Sequence, residues 1–487
     1  MGMSDWGFKS AVELAGMIQA KEVGCLELLE YFLGRVERFN PALNAIVVLD
    51  ADGARARAQE ADEALARGEN WGPLHGVPMT IKESFNVAGT PTTYGRPEMR
   101  ENIATTDALA VERLKGAGVV LFGKTNVPLN LADFQSYNEV YGRTGNPWNV
   151  DRVPGGSSGG SAAALASGMT GFDSGSDIGG SIRNPAHYCG VFGHKPTWGL
   201  LPPFGHSLPG IVAQSDLSVI GPLARSAADL ALGVKIMSGP DEIEAAGMKV
   251  VLPEPRVQQL GDYRVAIWKN HAQAPVSRET EMRVEAVAET IVKAGGIADF
   301  EARPDFDVDE AHGIYQTLLW ATMASRSTDE EFSAMLEQAS RLDAGDRSEG
   351  AETLRKQVAS HRDYLSANNA RTHLRWKWHG FFKEYDALIA PIMATPAFPH
   401  DHRRFGERSI DVDGESRPYF EQIFWAGLAI NSYLPSTVFP TGPGKDGLPI
   451  GLQIIGPQFG DLTTLALAGH LEAAGFGFQP PPGYADR

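Results

Sequence analysis

Pro154-Gly-Gly-Ser157-Ser158-Gly-Gly-Ser161 and, a short way on, Asp177-Ile178-Gly179-Gly180-Ser181-Ile182-Arg183 place two serines in glycine-freed backbone within one segment of the chain. Glycine lets a backbone take φ > 0 and lets a ligand come close to the chain. Gly179-Gly180 ahead of a serine can therefore aim several N–H groups at one point beside its hydroxyl. An oxyanion hole is built this way, and a second serine in a similar loop suggests a relay to the first. The segment does not read as a flexible linker, because Ala162-Ala-Ala-Leu-Ala166 continues directly as a compact helix that needs close packing.

Outward from this segment, short apolar runs bounded by glycine or proline alternate with helical patterns. Ser10-Ala-Val-Glu13 reads as a capping box, a helix follows from Cys25 to Phe39, and Asn40-Pro41 is expected to end it. Leu43 to Leu49, Val77 to Ile81, Val119 to Phe122, Ala387 to Ala390, Leu434 to Phe439 and Leu448 to Ile455 are strand candidates. Helices are expected before Gly68, from Asp107 to Ala117 and from Asp461 to Ala474. Such alternation implies an α/β fold in which helices cover a buried sheet. From 276 to 382 the pattern changes to long charged helices with few strand signals, which reads as a helical insertion. The sheet is then completed by the C-terminal strands.

At 487 residues the length alone would allow about three domains of ~150 residues. The composition argues for one unit over 1–487: 43% hydrophobic, 21% charged, 54 glycines and 31 prolines, with no low-complexity linker and no internal repeat. A net charge of −17 with scattered basic residues argues against nucleic acid as a partner. No apolar run is long enough for a membrane span or a signal peptide, and Trp6 stands where acylation beginning at Met1-Gly2 would need Ser or Thr. Cys25 and Cys189, the only cysteines, fit a reducing cytoplasm and no disulfide framework.

A serine hydroxyl needs a base to become a nucleophile. His187 and His194 follow Ser181, but neither has an evident orienting acid in the sequence, and both read as structural histidines. Lys82, leaving the apolar run Gly76-Val-Pro-Met-Thr-Ile81, is the competing base. Desolvation lowers a lysine toward neutrality, and a fall from ~10.4 to ~7–8 costs roughly 3–5 kcal/mol.

In order along the chain stand Gly76-Val-Pro-Met-Thr-Ile-Lys82, Gly123-Lys-Thr-Asn126, Thr144-Gly-Asn-Pro147, the two glycine/serine loops and Gly447-Leu-Pro-Ile-Gly-Leu-Gln453. This series strongly resembles the amidase signature family from about residue 10 to 475. The resemblance implies an α/β/α sandwich with a large, mixed, mostly parallel central sheet, and hydrolysis of amides by a Ser–Ser–Lys triad without metal or other cofactor. It casts Ser181 as nucleophile, Ser157 on a cis peptide bond as bridge, and Lys82 as general base. The N–H groups of Ile178, Gly179, Gly180 and Ser181 would form the oxyanion hole, and Leu131 and Ala132 would line the acyl pocket. Asp177 and Arg183 are expected to pair across the loop.

Glu83, where many relatives carry Asp, and Leu129-Asn130, where many carry Glu, bear on subfamily rather than chemistry. The wording Pro128-Leu-Asn-Leu-Ala-Asp-Phe-Gln-Ser-Tyr-Asn138 and His194-Lys-Pro-Thr-Trp198 looks more like stand-alone bacterial amidases of hydrophobic or aryl amides, some of which also accept esters or carbamates. A small-molecule amide substrate and a cytoplasmic monomer or homodimer are expected. One rival is the A subunit of the tRNA-dependent amidotransferase, which releases ammonia from glutamine for a partner and needs a polar pocket. The Trp320, Met323 and Phe424-Trp425 neighbourhoods suggest apolar lining instead. A non-catalytic binding protein on the same fold is a further alternative. Gly156-Ser-Ser158-Gly-Gly160 matches a nucleophile elbow but lacks the preceding buried strand, and His400-Asp-His402 lacks further metal-ligand spacing.

Overall fold

The computed structural model describes residues 6–485; the reading of Met1-Gly2 lies outside them. The apolar runs pair into two larger sheets. In the smaller, β1 (Ile46–Leu49), β2 (Pro78–Lys82) and β3 (Val120–Thr125) lie in the order β1-β3-β2, with Lys82 opposite Thr125. The larger has eight strands. They are β4 (Asp173–Asp177), β5 (Phe192–Lys195), β6 (Val219–Ala224), β7 (Arg264–Ile267), β8 (Ile297–Asp299), β9 (Ala387–Pro391), β10 (Ser436–Pro443) and β11 (Pro449–Ile455), in the order β8-β7-β9-β11-β10-β5-β6-β4.

The fold is α/β with a mixed sheet, and its parallel part is confined to β8-β7-β9. Every other pairing in the large sheet is antiparallel, so the expectation of a mostly parallel sheet holds only at that edge. Connections decide this: β7 reaches β8 through the Arg278–Lys293 helix, the crossover a parallel pair needs, whereas β10 turns straight into β11. The 276–382 segment is accordingly divided. Its first part, through β8, belongs to the sheet, and the helices Val308–Ala324, Asp329–Ser340, Glu349–Gln357 and His361–Phe381 follow.

Local differences from the sequence reading have local causes. The Cys25–Leu43 helix runs past Pro41, because Leu43 is fully buried and Asn44, at φ 52°, provides the left-handed stop. The Ser10 capping box is formed, with both reciprocal bonds in place. Cys25 and Cys189 are free and buried. Among the described residues no helix is long and apolar enough to cross a membrane.

The Gly159–Ala166 helix is buried at every residue and lies between the two sheets. A Cβ at Gly160 would stand 2.3 Å from the Asn126 nitrogen, so this approach admits only glycine. Across the seam, Thr80 of β2 donates to Asp173 of β4 at 2.6 Å. The ends of β2 and β4 therefore open at the same place.

Candidate active site

Lys82 ends β2 fully buried, and its Nζ lies 2.7 Å from Ser157 Oγ, 2.9 Å from Ser158 Oγ and 3.0 Å from Ser176 Oγ. Burial drives the ammonium well below the usual lysine range, and the positive charge of Arg326 adds to this. Asp177 and Asp173 pull the other way without reversing it. A neutral amine has two N–H groups and one lone pair. In the neutral form Ser158, whose own hydroxyl leans on the Ser176 carbonyl at 3.4 Å, could accept one N–H and Ser176 the other, leaving the lone pair facing the Ser157 hydroxyl 2.7 Å away.

The Gly156–Ser157 peptide bond is cis, as the resemblance implies. The two glycine/serine loops are laced together: the Ser158 N–H donates to the Ser181 carbonyl at 3.1 Å, and the Gly156 N–H to Asn184 Oδ1 at 2.9 Å. Lys82, Ser157 and Ser181, distant in sequence, are thus assembled at the seam between the sheets. Ser158 and Ser176 are partners of Lys82 that the sequence reading missed. Ser176 sits in Asp173-Ser-Gly-Ser-Asp177, a fully buried strand without an apolar side chain, and no hydrophobic periodicity could reveal it.

Asp177 organises the loop that carries Ser181. It accepts from the N–H groups of Gly180 at 2.8 Å and Ile182 at 3.1 Å, and pairs with the Arg183 guanidinium at 3.0 Å, both side chains being fully buried. Arg183 continues to Gln453 Oε1 on β11 at 2.8 Å. Burial alone would raise the Asp177 carboxyl, but Arg183 beside it holds it below the ordinary carboxylate range. The expected pairing is therefore present, and it corrects one expectation: the Gly180 N–H is engaged by Asp177. The N–H groups of Ile178, Gly179 and Ser181 donate to no acceptor among the described residues. Gly180 contributes conformation instead, at φ 103°. Asp177→Asn, which leaves the Arg183 charge buried without its partner, is expected to cost about 3–5 kcal/mol, read as a lower midpoint in urea unfolding.

Ser181 keeps 7% exposure and opens onto a cavity of about 340 Å³. Leu131 and Ala132, the two expected lining residues, are in its wall with Ile178 and Gly179. Trp320 and Met323 line it too, but Phe424 and Trp425 do not; Phe420 and Ile423, just upstream, take that side. Tyr315 braces the loop by donating to the Ile178 carbonyl at 2.9 Å. The one charged residue in the wall, Asp133, is neutralised by Arg408 at 2.6 Å and by the Tyr419 hydroxyl at 2.6 Å.

The histidines are engaged elsewhere. His187 lies buried between the Gly451 and Thr395 carbonyls at 2.9 and 3.0 Å. His194 does have an acid, Asp461 at 3.1 Å, which sequence proximity could not show; its other nitrogen meets Thr437 Oγ1 at 2.8 Å. His400 contacts the Val150 carbonyl, and the ring of His402 stacks on Tyr137. Among the described residues no group of three or more His, Cys, Asp or Glu could hold a metal ion.

Known proteins resemble the chain over most of its length. Residues 27–465 match the Amidase family model. The chain is 31% identical over 491 residues to a protein named as the A subunit of glutamyl-tRNA(Gln) amidotransferase from Geobacillus thermodenitrificans, covering 95% of this chain and 96% of that one. It resembles the crystal structure of a bacterial aryl acylamidase of the amidase signature family, with TM-score 0.83 and 25% identity, over 99% of both chains. Another solved amidase aligns with TM-score 0.76 and 28% identity over 96% of this chain and 100% of that one. The chain belongs to the amidase family, the amidase signature enzymes that hydrolyse amide C–N bonds.

Proposed function

We propose that this protein hydrolyses carboxylic amides with an apolar or aryl acyl group through an acyl-enzyme on Ser181. The observation that carries the reading is the cavity over Ser181, which is walled by apolar side chains and whose one carboxylate is already paired. Such a wall takes an aryl or alkyl acyl group, and it offers no free charge to the zwitterionic end of glutamine.

The roles follow from chemistry at the seam. Neutral Lys82 accepts the Ser157 proton while Ser157 accepts that of Ser181, whose oxygen adds to the amide carbonyl. The N–H groups of Ile178, Gly179 and Ser181 meet the developing oxyanion, each well-aimed donor being worth about 2.7–4 kcal/mol in the transition state. The tetrahedral intermediate collapses with loss of the amine, which leaves with the proton returned through Ser157. Water then enters by the same relay, the acyl–oxygen bond breaks, and the carboxylic acid departs. No step in this sequence calls on a metal.

Amine release from an aryl anilide, a fatty amide, an aryl carbamate and glutamine tests the substrate class. The anilide or fatty amide is expected to lead. The relatives named as A subunits of glutamyl-tRNA(Gln) amidotransferase favour a second reading, glutamine as ammonia donor, and preference for glutamine within the panel would select it. No turnover of any member would favour a binding protein on this fold. A carbamate left intact at enzyme levels that cleave the matching anilide removes urethanase activity.

Trp320 is the bulkiest side chain in the cavity wall. Trp320→Ala is expected to lower kcat/KM for an aryl acyl substrate by roughly 10–100-fold and for the matching acetyl substrate by far less. Equal losses on both would show that Trp320 does not contact the acyl group.

A further inference from the structure

We propose that the cavity on the far side of Leu131 is a subsite for a carboxylate carried on the amine half of the substrate. The inference rests on the acyl-enzyme reading above and extends it to the leaving group. This second cavity has a volume of about 230 Å³ and shares Leu131 as a wall with the cavity over Ser181. It lies between the loop around His206 to Ser218 and the side chains of Tyr94 and Arg326.

Three of its polar side chains are donors with few or no acceptors. The Arg326 guanidinium makes one hydrogen bond among the described residues, to the Asn130 carbonyl at 3.3 Å, and has no acidic partner. The Tyr94 hydroxyl is buried, with Tyr94 only 4% exposed, and has no hydrogen-bond partner; the Gln214 amide nitrogen is likewise buried and unpartnered. No Asp or Glu lines the cavity. Native interiors pair their buried polar groups. A guanidinium fork, a phenol and an amide N–H facing one space lack only an anionic acceptor, and a carboxylate matches the fork.

The placement suits the departing amine. His206, in the same wall, bonds Ser84 Oγ at 2.9 Å, two residues beyond Lys82. The field of Arg326 reaches Lys82 itself and helps to keep it neutral. The leaving nitrogen must collect its proton from the Lys82–Ser157 side of Ser181. With the acyl group in the apolar cavity, the amine half therefore points across Leu131 toward Arg326.

The test compares an N-acyl-4-aminobenzoate with the corresponding N-acyl-4-toluidine, which replaces the carboxylate by a methyl group. The wild type is expected to favour the carboxylate in kcat/KM by roughly 10–100-fold. Arg326→Met is expected to bring that ratio within about threefold of unity, Arg326→Lys to give an intermediate value, and Tyr94→Phe to lower it several-fold. In parallel, Ser181→Ala is titrated calorimetrically with 4-aminobenzoate and with 4-toluidine. Binding of the first but not the second, lost when Arg326→Met is added to a variant that still melts cooperatively, supports the subsite. Equal turnover of the two amides by the wild type, a preference that persists in Arg326→Met, or no binding of 4-aminobenzoate overturns it. If neither amide is hydrolysed, the acyl-enzyme reading falls, and calorimetry decides the subsite by itself.

Discussion

Ser181→Ala is expected to lose amine release from every substrate the wild type cleaves, by at least about 10⁴-fold in kcat, with its thermal midpoint nearly unchanged. The size of the loss follows from the proposed chemistry: without the Ser181 oxygen there is no covalent acyl intermediate. The remaining donors can then stabilise only direct attack by a water that nothing aligns. The fold is spared because the Ser181 hydroxyl faces the cavity rather than packed core, and removing it leaves the Asp177–Arg183 pair and the Ser158-to-Ser181 backbone bond untouched. Single-turnover assays at high enzyme concentration, alongside a melting curve, check both halves. Activity that survives within tenfold of wild type would reject Ser181 as nucleophile and send attention to His194 with its Asp461 partner.

Lys82→Met is expected to lower kcat by about 10²–10⁴-fold, the range that general-base catalysis supplies. On the proposed relay of Lys82 and the serines, Lys82→Met combined with Ser181→Ala is expected to be no worse than Ser181→Ala alone. The pH dependence has a definite sign. Burial holds the folded-state ammonium well below its usual range, and only the neutral amine accepts a proton. The wild-type kcat/KM therefore falls as pH drops through the lowered folded value, and this acid limb disappears in Lys82→Met. Stability runs with the same linkage. Below the unfolded value of about 10.4 the unfolded chain binds a proton that the folded chain refuses, so this group makes stability rise with pH across that window. The gain in stability of Lys82→Met over wild type is accordingly largest on the acid side of the window and fades toward its alkaline end. A wild-type profile without an acid limb, or a variant retaining that limb, would reject Lys82 as the base.

Much of this was legible in the sequence because it lay in turns and termini, where residue type dictates backbone. The glycine/serine loops, the run ending at Lys82 and the Ser10 capping box all act through local rules, and the structure has them where the residues stand. Strands read from apolar runs were found within a few residues, since burial of Val, Ile and Leu is what makes them strands. What was not legible depends on partners distant in sequence. Strand β4 is polar, yet buried, because its hydroxyls and carboxylates meet Lys82, Thr80 and Arg183. The β7–β8 pair is parallel because a helix carries the chain back between them, and periodicity cannot show that. Asp461 reaches His194 from the closing helix, and Phe420 and Ile423 displaced Phe424 and Trp425 from the cavity by the phase of one short helical segment.

Strand order in the large sheet also sets when activity can arise during synthesis. Lys82, Ser157 and Ser181 are made early, but the strand bearing Ser176 and Asp177 belongs to a sheet whose middle positions, β10 and β11, come from the last part of the chain. Arg183 is anchored on Gln453 of β11, so the loop bearing Ser181 gains its buried support only after that residue has been translated. A growing chain emerges N-terminus first and so carries Lys82, Ser157 and Ser181 without that support until Gln453 follows. On the proposed mechanism, a chain stalled before Gln453 would carry Lys82, Ser157 and Ser181 without activity.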